Sequence, residues 1–241
     1  MQVVILAGGR GTRLSPITDL TPKPMVLIKN KPFLEYLLLM LRKNSFKKVL
    51  ICVGYLGDKI EAYFGNGCQW DIEIKYSYEK DLLGTAGALK LANSIIEEKF
   101  LLIYGDSYLD IDYGKFIEFF ENKKTIGAIA IYDNSKGDTS VKNNIAIMED
   151  TIIKYDKNKE DACLKYVEAG AAVFNKRMLN FIEENKCISL ENDIFPLLIR
   201  SKELSGYKSQ QRFYDIRTFD RLSIFQNLKL PYDYFKNTIE N

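Results

Sequence analysis

The sequence predicts an α/β protein built on a doubly wound, mostly parallel sheet, with a small mixed-sheet extension in its second half. Three observations predict this. Through the first 132 residues, short β-branched runs alternate with helical patterns, the signature of βαβ units. A glycine-rich run follows the first of those strands directly, where a doubly wound sheet opens its ligand crevice. After Asp133 the pattern changes to a polar loop and then to short strand-like runs.

Taken in order, strands are predicted over residues 2–7, 48–53, 72–77, 100–104 and 126–132. Between the first two, Phe33, Tyr36, Leu37, Met40 and Leu41 share one face of a helix opened by Pro32, a residue suited to a first turn. That face is assigned to the core rather than to a dimer contact, and a homo-oligomer is left open. Further helices fit residues 58–64, 85–96 and 114–122. Beyond the loop at 134–144, strands fit 145–148, 152–155 and 166–174, and helices fit 176–184 and 191–199. A strand over 213–216 leads into a terminal helix. With no Pro/Gly/Ser-rich linker, repeat or low-complexity tract, residues 1–241 read as one domain in two parts, 1–132 and 133–241.

Composition narrows the function. The 241 residues are 46% hydrophobic and 27% charged, as in ordinary globular proteins. Lys and Arg outnumber Asp and Glu by only 34 to 32, too even for a nucleic-acid partner. The absence of histidine excludes every mechanism that uses imidazole as base, nucleophile or metal ligand. The four cysteines, Cys52, Cys68, Cys163 and Cys187, form no C-x-x-C pair and read as thiols of a reducing cytoplasm. No signal peptide is expected. The longest apolar stretch, at 36–41, falls far short of the roughly 18 residues that a membrane span needs, so a cytoplasmic protein without a membrane partner is expected.

The glycine-rich run is Leu6-Ala7-Gly8-Gly9-Arg10-Gly11-Thr12-Arg13-Leu14. Glycines there let backbone N–H groups close on phosphate oxygens. It is not a dinucleotide fingerprint, because Leu14 stands where the third glycine belongs, and it lacks the Gly-Lys-Ser/Thr of a Walker A loop. Ten residues on, Pro22-Lys23-Pro24-Met25 fixes an extended backbone that aims Lys23. Together, G-G-x-G-T-R-L and P-K-P-M resemble the signature of the sugar-phosphate nucleotidyltransferases, the family of glucose-1-phosphate thymidylyltransferase and mannose-1-phosphate guanylyltransferase.

The resemblance implies a nucleotide-binding part at 1–132 and a sugar-phosphate-binding part at 133–241. It implies that Leu6, Ala7, Gly8, Gly9, Gly11 and Thr12 wrap the triphosphate of a nucleotide, that Arg13 meets its β and γ phosphates, and that Lys23 meets its α phosphate. Tyr104-Gly105-Asp106-Ser107 resembles the family's G-D motif, whose aspartate binds Mg²⁺. Asp215 matches the D-x-G-T position as a second Mg²⁺ ligand, with Arg217 in place of the usual glycine. Asp110 and Asp112 are read as caps of the helix that follows. On the sugar side, Asp156-Lys157-Asn158 stands for an E-K-P element, and Glu168-Ala169-Gly170 for an N-x-G or E-x-G element. Lys157 would grip the sugar phosphate, while Glu168 and the Gly170 backbone bind hydroxyls.

The base side is read from Glu79 and from Gly84-Thr85-Ala86-Gly87, where small residues at a helix start let a planar base lie against backbone. The segment L-G-T-A-G-A is most like that of guanylyltransferases for mannose 1-phosphate and heptose 1-phosphate, so GTP is the favoured triphosphate. No enzymic nucleophile is in view, and direct in-line attack by the sugar-phosphate oxygen is expected. The rival readings are a cytidylyltransferase for a non-sugar phosphomonoester and an inactive nucleotide-sugar-binding regulator.

Overall fold

A strand covered on both faces is nearly all apolar, and β1 (Gln2–Ala7) follows that rule from Val3 onward. Its Val3 and Ile5 pack on one face with Leu34, Leu37 and Leu41, while Val4 packs on the other with Ala86 and Leu89. The structure, a computed structural model, describes residues 1–157 and 161–230. After β1 come α1 (Ile17–Leu20), a hairpin of β2 (Leu27–Ile28) and β3 (Lys31–Pro32), and α2 (Phe33–Lys43). Then follow β4 (Lys48–Val53), α3 (Gly57–Phe64), β5 (Glu73–Tyr78), α4 (Gly84–Leu91) and β6 (Lys99–Tyr104). Pro32 caps α2 with an extended ψ of 142° instead of forming its first turn. Leu37, Leu38, Met40 and Leu41 are fully buried, so this face belongs to the core. Each such side chain contributes roughly 1.5–3 kcal/mol.

The second half supplies β7 (Ser107–Tyr108), α5 (Tyr113–Lys123), β8 (Gly127–Asp133), β9 (Ile145–Met148), β10 (Thr151–Tyr155) and β11 (Tyr166–Asn175). It closes with α6 (Phe195–Arg200), β12 (Leu204–Ser209), β13 (Tyr214–Asp215) and α7 (Phe219–Gln226). One nine-stranded sheet runs β5-β4-β1-β6-β11-β8-β12-β10-β9. The block β5-β4-β1-β6 is parallel, whereas β11 is antiparallel to both β6 and β8. The sheet is therefore mixed rather than mostly parallel, and the strands expected in an extension over one side continue the main sheet.

Two expected helices also differ. Residues 176–181 form a 3-10 turn, and a wide π turn at Leu190–Ile194 precedes α6. Pro196 has no N–H to donate back to residue 192, which separates the π turn from the α-helix. Among the described residues no helix is long and apolar enough to cross a membrane.

Candidate active site

Close backbone approaches, each needing a missing side chain, build the site at the carboxyl ends of β1 and β6. A Cβ on Gly105 would lie 2.7 Å from the Leu6 carbonyl oxygen, so the turn after β6 presses on β1. A Cβ on Gly8 would overlap the Glu79 carboxylate at 2.1 Å, and Gly11 holds a left-handed φ of 66°. The result is a cavity of about 330 Å³, within the range of small-molecule sites. Leu6, Ala7, Gly8, Gly9 and Gly11 line one wall, and Glu79, Gly84 and Thr85 another. Lys23 and Asp106 line it as well.

The lysine and the aspartate meet directly. Lys23 Nζ lies 2.6 Å from Asp106 Oδ2, and Arg217 Nε lies 3.3 Å from the same oxygen. Burial works to raise the Asp106 pKa, but Arg217 and Lys23 outweigh it and hold the carboxyl well below the usual carboxylate range. An ionised carboxylate facing the cavity suits a hard divalent cation. Asp215 arrives beside it, because β13 pairs with β7 and sets Asp215 opposite Ser107. Its carboxylate is buried, however, and accepts from Arg221 Nη1 at 3.0 Å and from the Arg217 backbone N–H at 2.9 Å. Among the described residues no group of three or more His, Cys, Asp or Glu side chains is placed to hold a metal. One or two carboxylates, completed by ligand oxygens and water, are what Mg²⁺ ordinarily takes, so Asp106 fits that role and Asp215 fits it on release from Arg221.

A second cluster is joined to this cavity through Glu191. A bulge in β11 between Glu168 and Ala172 gives Gly170 a φ of 82°, and a Cβ there would sit 2.5 Å from that of Ser107. Glu168 accepts from the Tyr155 hydroxyl at 2.5 Å and lies 3.7 Å from Lys157 Nζ. Lys157 and Glu168, expected to take the sugar phosphate and its hydroxyls, are thus neighbours, while Asn158 lies outside the described residues. Sequence reasoning missed Glu191, which resembles an ordinary acid in a first helical turn. Its carboxylate receives Thr85 at 2.8 Å, Tyr104 at 3.1 Å and Lys157 at 3.2 Å, and so joins the two halves of the site. Burial works to raise the Glu191 pKa, but Lys157 together with hydrogen bonds from its own backbone N–H, Thr85 and Ser189 outweighs it and lowers the pKa. Burial, followed by the charge of Glu168, pushes the Tyr104 and Tyr155 hydroxyls up, so both stay protonated donors.

Four residues predicted to contact the nucleotide do not line this cavity themselves. Ala86 and Gly87 donate their N–H groups to the Ile188 carbonyl, and a Cβ on Gly87 would strike the Lys186 carbonyl at 2.6 Å. The smallness of Gly87 serves helix packing. Thr12 and Arg13 sit exposed on a 3-10 turn that follows Gly11 of the cavity lining.

The chain matches the model of the family described as Nucleotidyl transferase over residues 2–227. The chain belongs to the nucleotidyl transferase family. One related nucleotidyl transferase is the D-glycero-alpha-D-manno-heptose 1-phosphate guanylyltransferase of Aneurinibacillus thermoaerophilus, 31% identical over 217 residues that cover 90% of this chain and 93% of the relative. Another is a UTP–glucose-1-phosphate uridylyltransferase of Synechocystis, 30% identical over 83% of this chain. The chain spans only 56% of that protein's length. Among solved structures, HddC from Yersinia pseudotuberculosis complexed with GMP-PN superposes with a TM-score of 0.77 at 27% identity, covering 92% of this chain and 96% of that one. A putative glucose-1-phosphate thymidylyltransferase from Bacillus anthracis, at TM-score 0.80 and 20% identity, shares the fold over 95% of this chain and 97% of its own.

Proposed function

We propose that this nucleotidyl transferase joins GTP and a mannose or heptose 1-phosphate into a GDP-sugar and releases pyrophosphate. The observation that carries the proposal is the Lys23–Asp106 contact of 2.6 Å in a glycine-lined cavity that Glu191 links, through Thr85 and Tyr104, to the Lys157–Glu168 cluster. Two anion-binding regions separated by one carboxylate fit a reaction that brings two polyanions together.

A sugar-phosphate oxygen attacks the α phosphorus, one P–O bond forms, and the bond to the β phosphate breaks as pyrophosphate departs. The attacking oxygen is already ionised, so no general base is needed. Lys23 faces the α phosphate and offsets its charge, on the order of 4 kcal/mol for a cation about 4 Å away at an effective dielectric near 20. Arg13, exposed at the rim, meets the outer phosphates. Lys157 takes the sugar phosphate, while Glu168 and the backbone at Gly170 receive sugar hydroxyls. Asp106, with Asp215 beside it, would hold Mg²⁺, which when bound neutralises and orients the triphosphate.

Glu79 supports GTP. Guanine offers two adjacent donors, N1–H and N2–H₂, to one carboxylate, whereas a pyrimidine with a single ring N–H does not. The guanylyltransferase that this chain matches over most of both lengths favours the same donor.

Replacing Lys157 with alanine is expected to raise KM for the sugar phosphate by about tenfold or more, roughly 1.4 kcal/mol, and to leave KM for the triphosphate within about twofold. Titrating each substrate against pyrophosphate release measures the two separately. An equal loss for both would assign Lys157 to the triphosphate or to the scaffold.

A further inference from the structure

Residue 217 engages both carboxylates of the candidate metal pair. Its backbone N–H donates to Asp215 Oδ1 at 2.9 Å, and its side chain reaches Asp106 Oδ2 at 3.3 Å. A glycine, the usual occupant of this motif position, would make only the first contact. Here Lys23, Arg217 and Arg221 place three positive charges against the two carboxylates Asp106 and Asp215. The charge of Glu168 also acts on Arg217, so what an incoming cation meets at Asp106 is an oxygen already held by Lys23 and Arg217.

We propose that Arg217 is a resident counter-ion that competes with the divalent metal for Asp106. The inference rests on the nucleotidyl-transfer reading, because that reading makes Asp106 a metal ligand. In the free protein the guanidinium occupies the carboxylate oxygen that the ion needs. A triphosphate supplies oxygens that draw Lys23 and Arg217 away, so metal and nucleotide load together and each strengthens the binding of the other. Arg217 acts here through Asp106 and is a positioning residue. Its long side chain also explains how a non-glycine is tolerated: it is only partly exposed, at 27%, with its charge satisfied by Asp106.

The test measures Mn²⁺ binding to the full chain without nucleotide, by the electron paramagnetic resonance of free Mn²⁺. Arg217→Gln is expected to bind Mn²⁺ at least about fivefold more tightly than the parent, and Arg217→Lys, which keeps the charge, within about twofold of it. Arg217→Gly repeats the test with the motif's usual residue should the glutamine variant fail to fold, which thermal melting reports. The gain should vanish in an Asp106→Asn background. Unchanged affinity in the uncharged variants, or a gain that persists without Asp106, would overturn the competition. Equal Mn²⁺ binding by Asp106→Asn and the parent would instead remove Asp106 as a metal ligand, and the competition with it. That outcome is distinct, because it is seen with Arg217 still in place.

Discussion

Asp106→Asn reduces pyrophosphate release to about a thousandth of the parent rate or less while the fold survives. The change keeps the shape of the side chain and its Oδ1, which accepts from Ser107 at 3.0 Å. It removes the charge that holds Lys23 at 2.6 Å and Arg217 at 3.3 Å. Two cations are then left facing each other, at a cost of about 1–3 kcal/mol. Against a typical stability of about 5–15 kcal/mol, the protein stays folded. Catalysis suffers more, because metal charge and lysine position both depend on this carboxylate. Circular dichroism and pyrophosphate release, measured on one preparation, separate the two effects. Activity within about threefold of the parent, in a variant with normal circular dichroism, would remove Asp106 from the reaction.

Glu79→Gln lowers kcat/KM for GTP by about a hundredfold and lowers it far less for UTP or dTTP. The carboxylate is half-buried, and burial raises its pKa while the Leu83 N–H works in the opposite sense. Glu79 Oε2 accepts that N–H at 3.0 Å, a bond that an amide oxygen keeps, so the loop before α4 is undisturbed. The amide nitrogen then faces the donors of guanine and leaves them unpaired, a mismatch that a desolvated site penalises heavily. Steady-state kinetics with each triphosphate measures the change. A uniform decrease across all of them would make Glu79 a support for the glycine loop and not a reader of the base.

The parallel half of the sheet was legible because its strands are short, apolar and separated by amphipathic helices. Strand order in the second half was not. Tyr166–Asn175 reads as a strand, but nothing local indicates that it inserts between β6 and β8 at the centre of the sheet. Leu204–Ser209 escaped notice because its sequence, Leu-Ser-Gly-Tyr-Lys-Ser, has no β-branched residue. It is a strand because β8 and β10 flank it, and Gly206 lets Ile131 and Ile152 pack across it.

In the site, the same division holds. Lys23, Asp106 and the glycine loop are carried by short motifs whose spacing fixes their place on a strand–loop–helix unit. Glu191 and Tyr155 gain their roles only when distant segments meet, since Glu191 touches Thr85 and Lys157, and Tyr155 touches Glu168. Arg217 was visible only as a departure from a motif, and its contact with Asp106 needed the β7–β13 pairing. Gly87 shows a packing demand hidden from the sequence, since the Lys186 carbonyl leaves no room there for a Cβ.

The most direct measurement of the central claim is pyrophosphate release from GTP, UTP, dTTP, CTP and ATP, each paired with mannose 1-phosphate, glucose 1-phosphate and a heptose 1-phosphate. The expected result is turnover that requires both substrates, with GTP preferred by at least about tenfold in kcat/KM, roughly 1.4 kcal/mol, and with mannose or heptose 1-phosphate as acceptor. A pyrimidine triphosphate that wins with any acceptor would contradict the guanylyl assignment, and the absence of pyrophosphate from every pair would contradict the reaction itself.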